Sequence, residues 1–206
     1  MSEAKPSIGV VDYGAGNLFS IRGGLEAAGA RAQTVKTRSE IAECDALVIP
    51  GVGVFGPAMR KLEPLRDAIE EFAASGKPLL GICLGLQVFF ESSDESPGVS
   101  GFAFFEGNCT RFPPSVKVPQ IGWNSLEINA KCPLFEGVAS GERAYFVNSF
   151  YAKPSDAGVI ASETVYGVRF SSAVWRENVY ATQFHPEKSG AAGLKILRNF
   201  VELAKK

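Results

Sequence analysis

The sequence predicts an α/β fold in which a mostly parallel sheet is extended by antiparallel strands from the second half of the chain. Three observations predict it. Short apolar runs alternate with helix-length amphipathic segments across residues 7–90, which is the grammar of strand–helix–strand units. Beyond Gly98 this gives way to short alternating runs broken by Gly, Pro and Asn, which suits antiparallel pairing. Between the two lies Lys77-Pro-Leu-Leu-Gly-Ile-Cys83-Leu-Gly-Leu-Gln87, an apolar run that ends at a cysteine between Gly81 and Gly85 and turns at once into a helix start.

Taken in order, Ser7 to Tyr13 is a β-rich run that ends in Gly14-Ala-Gly16-Asn17, and Leu18, Ile21 and Leu25 follow at helical spacing. The glycine loop lacks the third glycine of a dinucleotide fingerprint and opens no phosphate motif. Arg31 to Val35 and Asp45 to Ile49 are the second and third strands, the latter ending in Pro50-Gly51-Val52-Gly53. Met59, Leu62, Leu65, Ile69 and Phe72 form one face of a helix bent at Pro64, which Gly76 and Pro78 stop before the fourth strand. A helix then carries Val88, Phe89 and Phe90. Strands are expected over 102–105, 115–121, 125–128, 143–151, 159–165, 167–175 and 179–184. A closing helix runs from about Gly190 to Ala204, with Leu194, Leu197, Phe200 and Val201 inward and Lys195, Arg198, Lys205 and Lys206 facing water.

At 206 residues the chain can bury a real core, and nothing in it reads as a linker or repeat, so one domain over 1–206 is expected. Lys plus Arg number 21 against 22 Asp plus Glu, so there is no basic field for nucleic acid or an anionic membrane. The first seven residues hold no apolar signal core and no run approaches the ~18 apolar residues of a membrane span, so a soluble, cytoplasmic protein is expected. Cys44, Cys83, Cys109 and Cys132 are scattered without close pairing, which fits reduced thiols better than disulfides or zinc; no metal or cofactor is expected.

Gly-x-Cys-x-Gly after a strand is the cysteine form of a nucleophile elbow, in which the flanking glycines allow a sharp turn and the next backbone N–H, here that of Leu84, faces the reacting point. A buried cysteine acting as a small hydrophobe is the competing reading of this run alone. His185 is the only histidine, so a Cys83 nucleophile has one possible imidazole base. Glu187 follows two residues later, and an extended His185-Pro-Glu187 segment would project both side chains to one side, letting the carboxylate hold the far imidazole nitrogen. The competing reading is a His and a Glu on a solvated strand end. Gly51, Val52 and Gly53 also directly follow a strand, and glycine amides left bare there suit a developing oxyanion. Three such elements at one presumed sheet edge favour an acyl-transfer site.

These residues, with Tyr13-Gly-Ala-Gly-Asn-Leu18, Pro50-Gly-Val-Gly-Val-Phe55, Ile121-Gly-Trp-Asn124, Tyr145-Phe-Val147 and Gln183-Phe-His-Pro-Glu-Lys-Ser189, resemble the class I, triad-type glutamine amidotransferases. Within that class they are similar to the glutaminase subunits of imidazole glycerol phosphate synthases, and the motifs run the length of the chain. The resemblance implies helices on both sides of the sheet and a triad at its carboxyl edge: Cys83 as nucleophile, His185 as proton relay, Glu187 as its orienting partner. It implies further that Leu84 and Gly51-Val52-Gly53 stabilise the oxyanion, and that Gln87, Glu95 and Ser149 hold L-glutamine, Glu95 suiting its α-ammonium. It also implies a (β/α)₈-barrel cyclase as partner in a heterodimer, met by Asn17, Trp123, Tyr145 and Lys188. Members of that family commonly carry histidine where this chain has Gln120 and Asn148; the amides keep hydrogen-bonding capacity but cannot become cationic. A catalytically silent scaffold and another cysteine hydrolase, such as a peptidase or deglycase, are the alternatives.

Overall fold

The computed structural model describes residues 5–129 and 131–205, so the reading of the first four residues and of Lys206 lies outside it. The first half comprises β1 (Ser7–Val11), α1 (Leu18–Ala27), β2 (Arg31–Val35), α2 (Arg38–Ala42), β3 (Ala46–Ile49), α3 (Phe55–Leu62), α4 (Arg66–Ala74), β4 (Leu79–Ile82) and α5 (Leu84–Gln87). The second half adds β5 (Phe90–Ser93), β6 (Phe105–Arg111), β7 (Gln120–Ser125), β8 (Glu127–Ile128), β9 (Arg143–Asn148), β10 (Phe150–Pro154), β11 (Ile160–Tyr166), β12 (Val168–Arg176), β13 (Val179–Thr182) and α6 (Gly190–Leu203).

Among the described residues the main sheet has 11 strands, with the path β2-β1-β3-β4-β13-β12-β10-β6-β5 and with β11 attached to β12 and β8 to β11. From β2 to β13 every pairing is parallel, and antiparallel pairs begin where β12 meets β13. Strands β1, β3 and β4 are buried at every position, which is why their sequences are continuous apolar runs. Successive residues feed opposite faces. Val10, Val48 and Leu80 pack with Ile21 and Leu25 of α1 and with Ile196, Leu197, Phe200 and Val201 of α6. Val11, Leu47 and Leu79 pack with Phe55, Met59, Leu62, Ile69 and Phe72 of α3 and α4. Each of these large side chains, once fully buried, contributes about 1.5–3 kcal/mol. No helix among the described residues is long and apolar enough to cross a membrane.

Local differences from the sequence reading have local causes. Helix α2 went unpredicted because it is only one turn long, although its capping box, Thr37 with Glu40, is legible as Thr-x-x-Glu. The bent helix is two helices, because Pro64 lacks the N–H that would carry the ladder through and a 3-10 turn, Glu63–Leu65, intervenes. The helix expected to reach Phe90 stops at Gln87, and Phe90 opens a strand parallel to β6. Strands expected from Phe102 and Ser115 start at Phe105 and Gln120, and the single strand expected over 143–151 is two: β9 pairs with β7 in a separate two-stranded sheet, whereas β10 joins the main sheet. In α6, Ile196 is buried where Leu194 is only half-buried.

Candidate active site

Strands β3, β4 and β13 are parallel neighbours, with Ile49 opposite Gly81 and Ile82 opposite Thr182. The Pro50–Gly53 loop, Cys83 and His185 therefore leave the sheet at the same edge. Sequence spacing alone does not dictate this meeting; the strand order does.

At the elbow the strain sits on the cysteine itself. Cys83 has φ 58° and ψ −107°, a conformation L-residues rarely adopt, which costs on the order of 1–3 kcal/mol and marks functional positions. The glycines beside it serve close approach rather than positive φ. A Cβ on Gly81 would lie 2.5 Å from the Gly85 carbonyl oxygen, and one on Gly85 only 2.0 Å from that of Ile49. Since both obstacles are backbone, Gly85→Ala is expected to destabilise the protein by about 3 kcal/mol and lower its melting temperature by roughly 6–12 °C. An unchanged thermal transition would contradict the packing assigned to the elbow.

His185 and Glu187 meet as expected, with Nδ1 2.9 Å from the carboxylate Oε1, but through different backbone geometry. His185 itself is extended, as expected before a proline, but Pro186–Lys188 then forms a 3-10 turn, because Pro186 occupies the first helical position, where its missing N–H is no loss. The pair is shielded, with side-chain exposures of 2% and 0%. Burial opposes the imidazolium, but the Cys83 sulfur and the Glu187 carboxylate outweigh it and push His185 up to about 9. Nε2, the nitrogen not used by Glu187, is buried and makes no hydrogen bond among the described residues, which leaves it free to take up the Cys83 proton.

Cys83 borders a cavity of about 220 Å³ that is also lined by Val52, Gly53, Gln87, Glu95, Asn148 and Ser149. Gln87, Glu95 and Ser149 are thus brought together around the sulfur. Glu95 accepts the Phe55 N–H at 2.8 Å, at the start of α3. The Leu84 N–H, expected to be free, instead donates to the Gly51 carbonyl oxygen at 3.3 Å. Gly51 allows this approach: a Cβ there would sit 2.6 Å from the Leu84 Cβ and 2.8 Å from the Tyr13 hydroxyl. Gly53, at φ 119°, takes the positive φ expected of the loop. Among the described residues no group of three or more His, Cys, Asp or Glu side chains could hold a metal ion.

The model of the glutamine amidotransferase class-I family matches residues 9–204. The chain belongs to this family. The amidotransferase is 50% identical over 196 residues to the imidazole glycerol phosphate synthase subunit HisH of Methanothermobacter thermautotrophicus, covering 95% of this chain and 98% of the relative. It is also 50% identical over 200 residues to the subunit of the same name from Thermococcus kodakarensis, covering 95% and 100%. Among solved structures, one of a glutamine amidotransferase shares the fold at a TM-score of 0.77 with 21% identity, covering 97% of this chain and 99% of that one. PurLQS from Thermotoga maritima does so at 0.76, also with 21% identity, covering 97% and 99%.

Outside the cavity, the amidotransferase groups three of the four residues that the resemblance assigns to the partner face. The half-exposed Trp123 ring stands edge-on to Tyr145 at 6.2 Å, and the Lys188 ammonium lies 5.9 Å from the Tyr145 ring centre. Asn17 caps α1, its side chain accepting the Ser20 N–H, and so has a local structural task. Gln120 and Asn148 are cross-strand partners, both buried, and each keeps an amide oxygen without a hydrogen-bond partner among the described residues. Two residues near the sulfur escaped the sequence reading. The buried Tyr13 hydroxyl donates to the Pro50 carbonyl at 2.6 Å and so anchors the loop, and burial pushes that phenol up. Gln183, fully buried, reaches Cys83. The available signal was an amide in the apolar strand leading to His185.

Proposed function

We propose that residues 1–206 form one amidotransferase domain, located in the cytoplasm, that hydrolyses L-glutamine to glutamate and ammonia through a cysteine thioester. In this reading it passes the ammonia to a (β/α)₈-barrel cyclase subunit of imidazole glycerol phosphate synthase, which makes imidazole glycerol phosphate and aminoimidazole carboxamide ribonucleotide. The observation that carries it is the strained Cys83 beside the buried His185–Glu187 pair, at the mouth of a cavity holding Gln87, Glu95 and Ser149. The names of the curated relatives support the assignment to that synthase.

His185 Nε2 takes the Cys83 proton, and the thiolate attacks the carboxamide carbon of glutamine. Glu187 holds the Nδ1–H, so that the Nε2 lone pair faces the sulfur, and stabilises the imidazolium. The tetrahedral oxyanion collapses, expelling ammonia with the proton from His185. Water, deprotonated by the same imidazole, then cleaves the thioester to glutamate and returns the thiol. Glu95 receives the α-ammonium, while Gln87 and the Ser149 segment hold the rest of the substrate.

One element is not set for this reaction. With the Gly51 carbonyl on the Leu84 N–H, an oxyanion at Cys83 would find an acceptor where it needs donors. Turning the Gly51–Val52 peptide over would free the Leu84 N–H and offer that of Val52. We assign this turn to the docked cyclase, contacting Asn17, Trp123, Tyr145 and Lys188. The decisive experiment is a glutaminase assay with and without the cyclase and its nucleotide substrate. One oxyanion donor is worth about 10²–10³ in rate, so stimulation of at least that size is expected; full activity in the isolated subunit would refute the closed resting state.

A further inference from the structure

Gln183 is the last residue but one before His185, has no exposed surface, and is unused by the mechanism above. Its Nε2 lies 3.7 Å from Cys83 Sγ, and its Oε1 accepts from Gln87 Nε2 at 3.2 Å. Gln87 Nε2 also donates to the Phe150 carbonyl oxygen at 3.1 Å. A carbonyl can only accept, so Phe150 fixes which end of the Gln87 amide faces it. That amino end then requires the oxygen of Gln183, which leaves the Gln183 amino group no orientation but toward the sulfur.

We propose that Gln183 is a positioning residue that supplies a neutral, permanently oriented N–H donor to the Cys83 thiolate, with Gln87 and the Phe150 carbonyl setting its direction. The inference rests on Cys83 being the nucleophile. As a thiol, Cys83 aims at the Val147 carbonyl oxygen, 3.8 Å away; as a thiolate it can only accept, and Gln183 is then its partner. His185 can donate to the thiolate only while it carries the transferred proton. An amide does not titrate, so Gln183 still faces the sulfur when the imidazole is neutral. Hydrogen bonding to a charged form favours that form, so the Gln183 donor stabilises the thiolate that attacks glutamine.

The titratable groups facing Cys83 are His185 with Glu187 behind it, Tyr13 from the loop after β1, and Glu95 across the cavity; Cys109 lies beyond Gln87, its Sγ 3.7 Å from the Gln87 carbonyl oxygen. None is altered in the test. Alkylation of Cys83 by iodoacetamide, followed by peptide mass from about pH 5 to 10, reads thiolate formation in the full chain. Gln183→Met is expected to move the alkylation profile to higher pH, slowing the reaction several-fold (roughly 3–10-fold) on its rising limb. Gln87→Met leaves Gln183 in place but free to turn, and should shift the profile in the same direction; it also carries the test if Gln183→Met fails to fold. Unchanged profiles overturn the proposal, and a shift in Gln183→Met without one in Gln87→Met overturns the orienting role of Gln87. The nucleophile assignment fails separately, if the unsubstituted chain, fully alkylated at Cys83, still hydrolyses glutamine when bound to the cyclase.

Discussion

Cys83→Ala is expected to lower glutamine hydrolysis by about 10⁴-fold or more, since a thioester route loses its only nucleophile. The same variant, bound to the cyclase, should still support synthesis from added ammonium salts at the unsubstituted rate. The substitution removes one sulfur from a cavity wall and leaves the β4–α5 backbone and the Trp123–Tyr145–Lys188 face untouched. The measurement is a pair of rates on one complex, with glutamine and with ammonium as nitrogen donor. Loss of both together would contradict the proposed division of labour between the subunits.

Glu187→Gln is expected to cost about 10³–10⁴ in glutamine hydrolysis with little change in substrate affinity. An amide at this position can donate to Nδ1, which places the imidazole proton on Nε2, where a base facing Cys83 must be bare. A second readout is pH dependence of stability. His185 is raised from 6.5 to about 9, burial acting against the rise and Cys83 and Glu187 producing it. A folded-state value above the unfolded one means that the folded state binds the proton more tightly. The contribution is therefore complete below pH 6.5 and is lost as pH rises through about 9. Denaturant titrations across that window should show stability falling with pH in the unsubstituted protein and a flatter dependence in Glu187→Gln. Equal slopes would mean that Glu187 does not hold the imidazolium.

Much of the fold was legible because parallel strands buried on both faces must be apolar throughout, and helices on such a sheet must be amphipathic. β1, β3 and β4 followed from that rule, whereas β13, expected among the antiparallel additions, pairs parallel with β4. The misreadings fell where the same local signal serves two structures. Phe89 and Phe90 continue a helical run as readily as they open a strand, and only the pairing of β5 with β6 selects the strand. The run from Arg143 to Tyr151 is evenly β-prone, but its halves belong to different sheets, with Ser149 left between them at the cavity.

By itself the sequence determined the chemistry on offer: one histidine, a carboxylate two residues after it, a cysteine inside a strand–turn–helix signature, and a glycine loop after another strand. These are matters of residue type and short spacing, which a chain carries whether or not it is folded. The tertiary structure alone decided how they meet. Strand order made β3, β4 and β13 neighbours, and a 3-10 turn after the extended His185 brought Glu187 under it. It also put the positive φ on Cys83, turned the Gly51 carbonyl onto the Leu84 amide, and drew Gln183 to the sulfur through Gln87. Peptide orientation and amide direction are set by partners distant in the chain, and no local propensity encodes them.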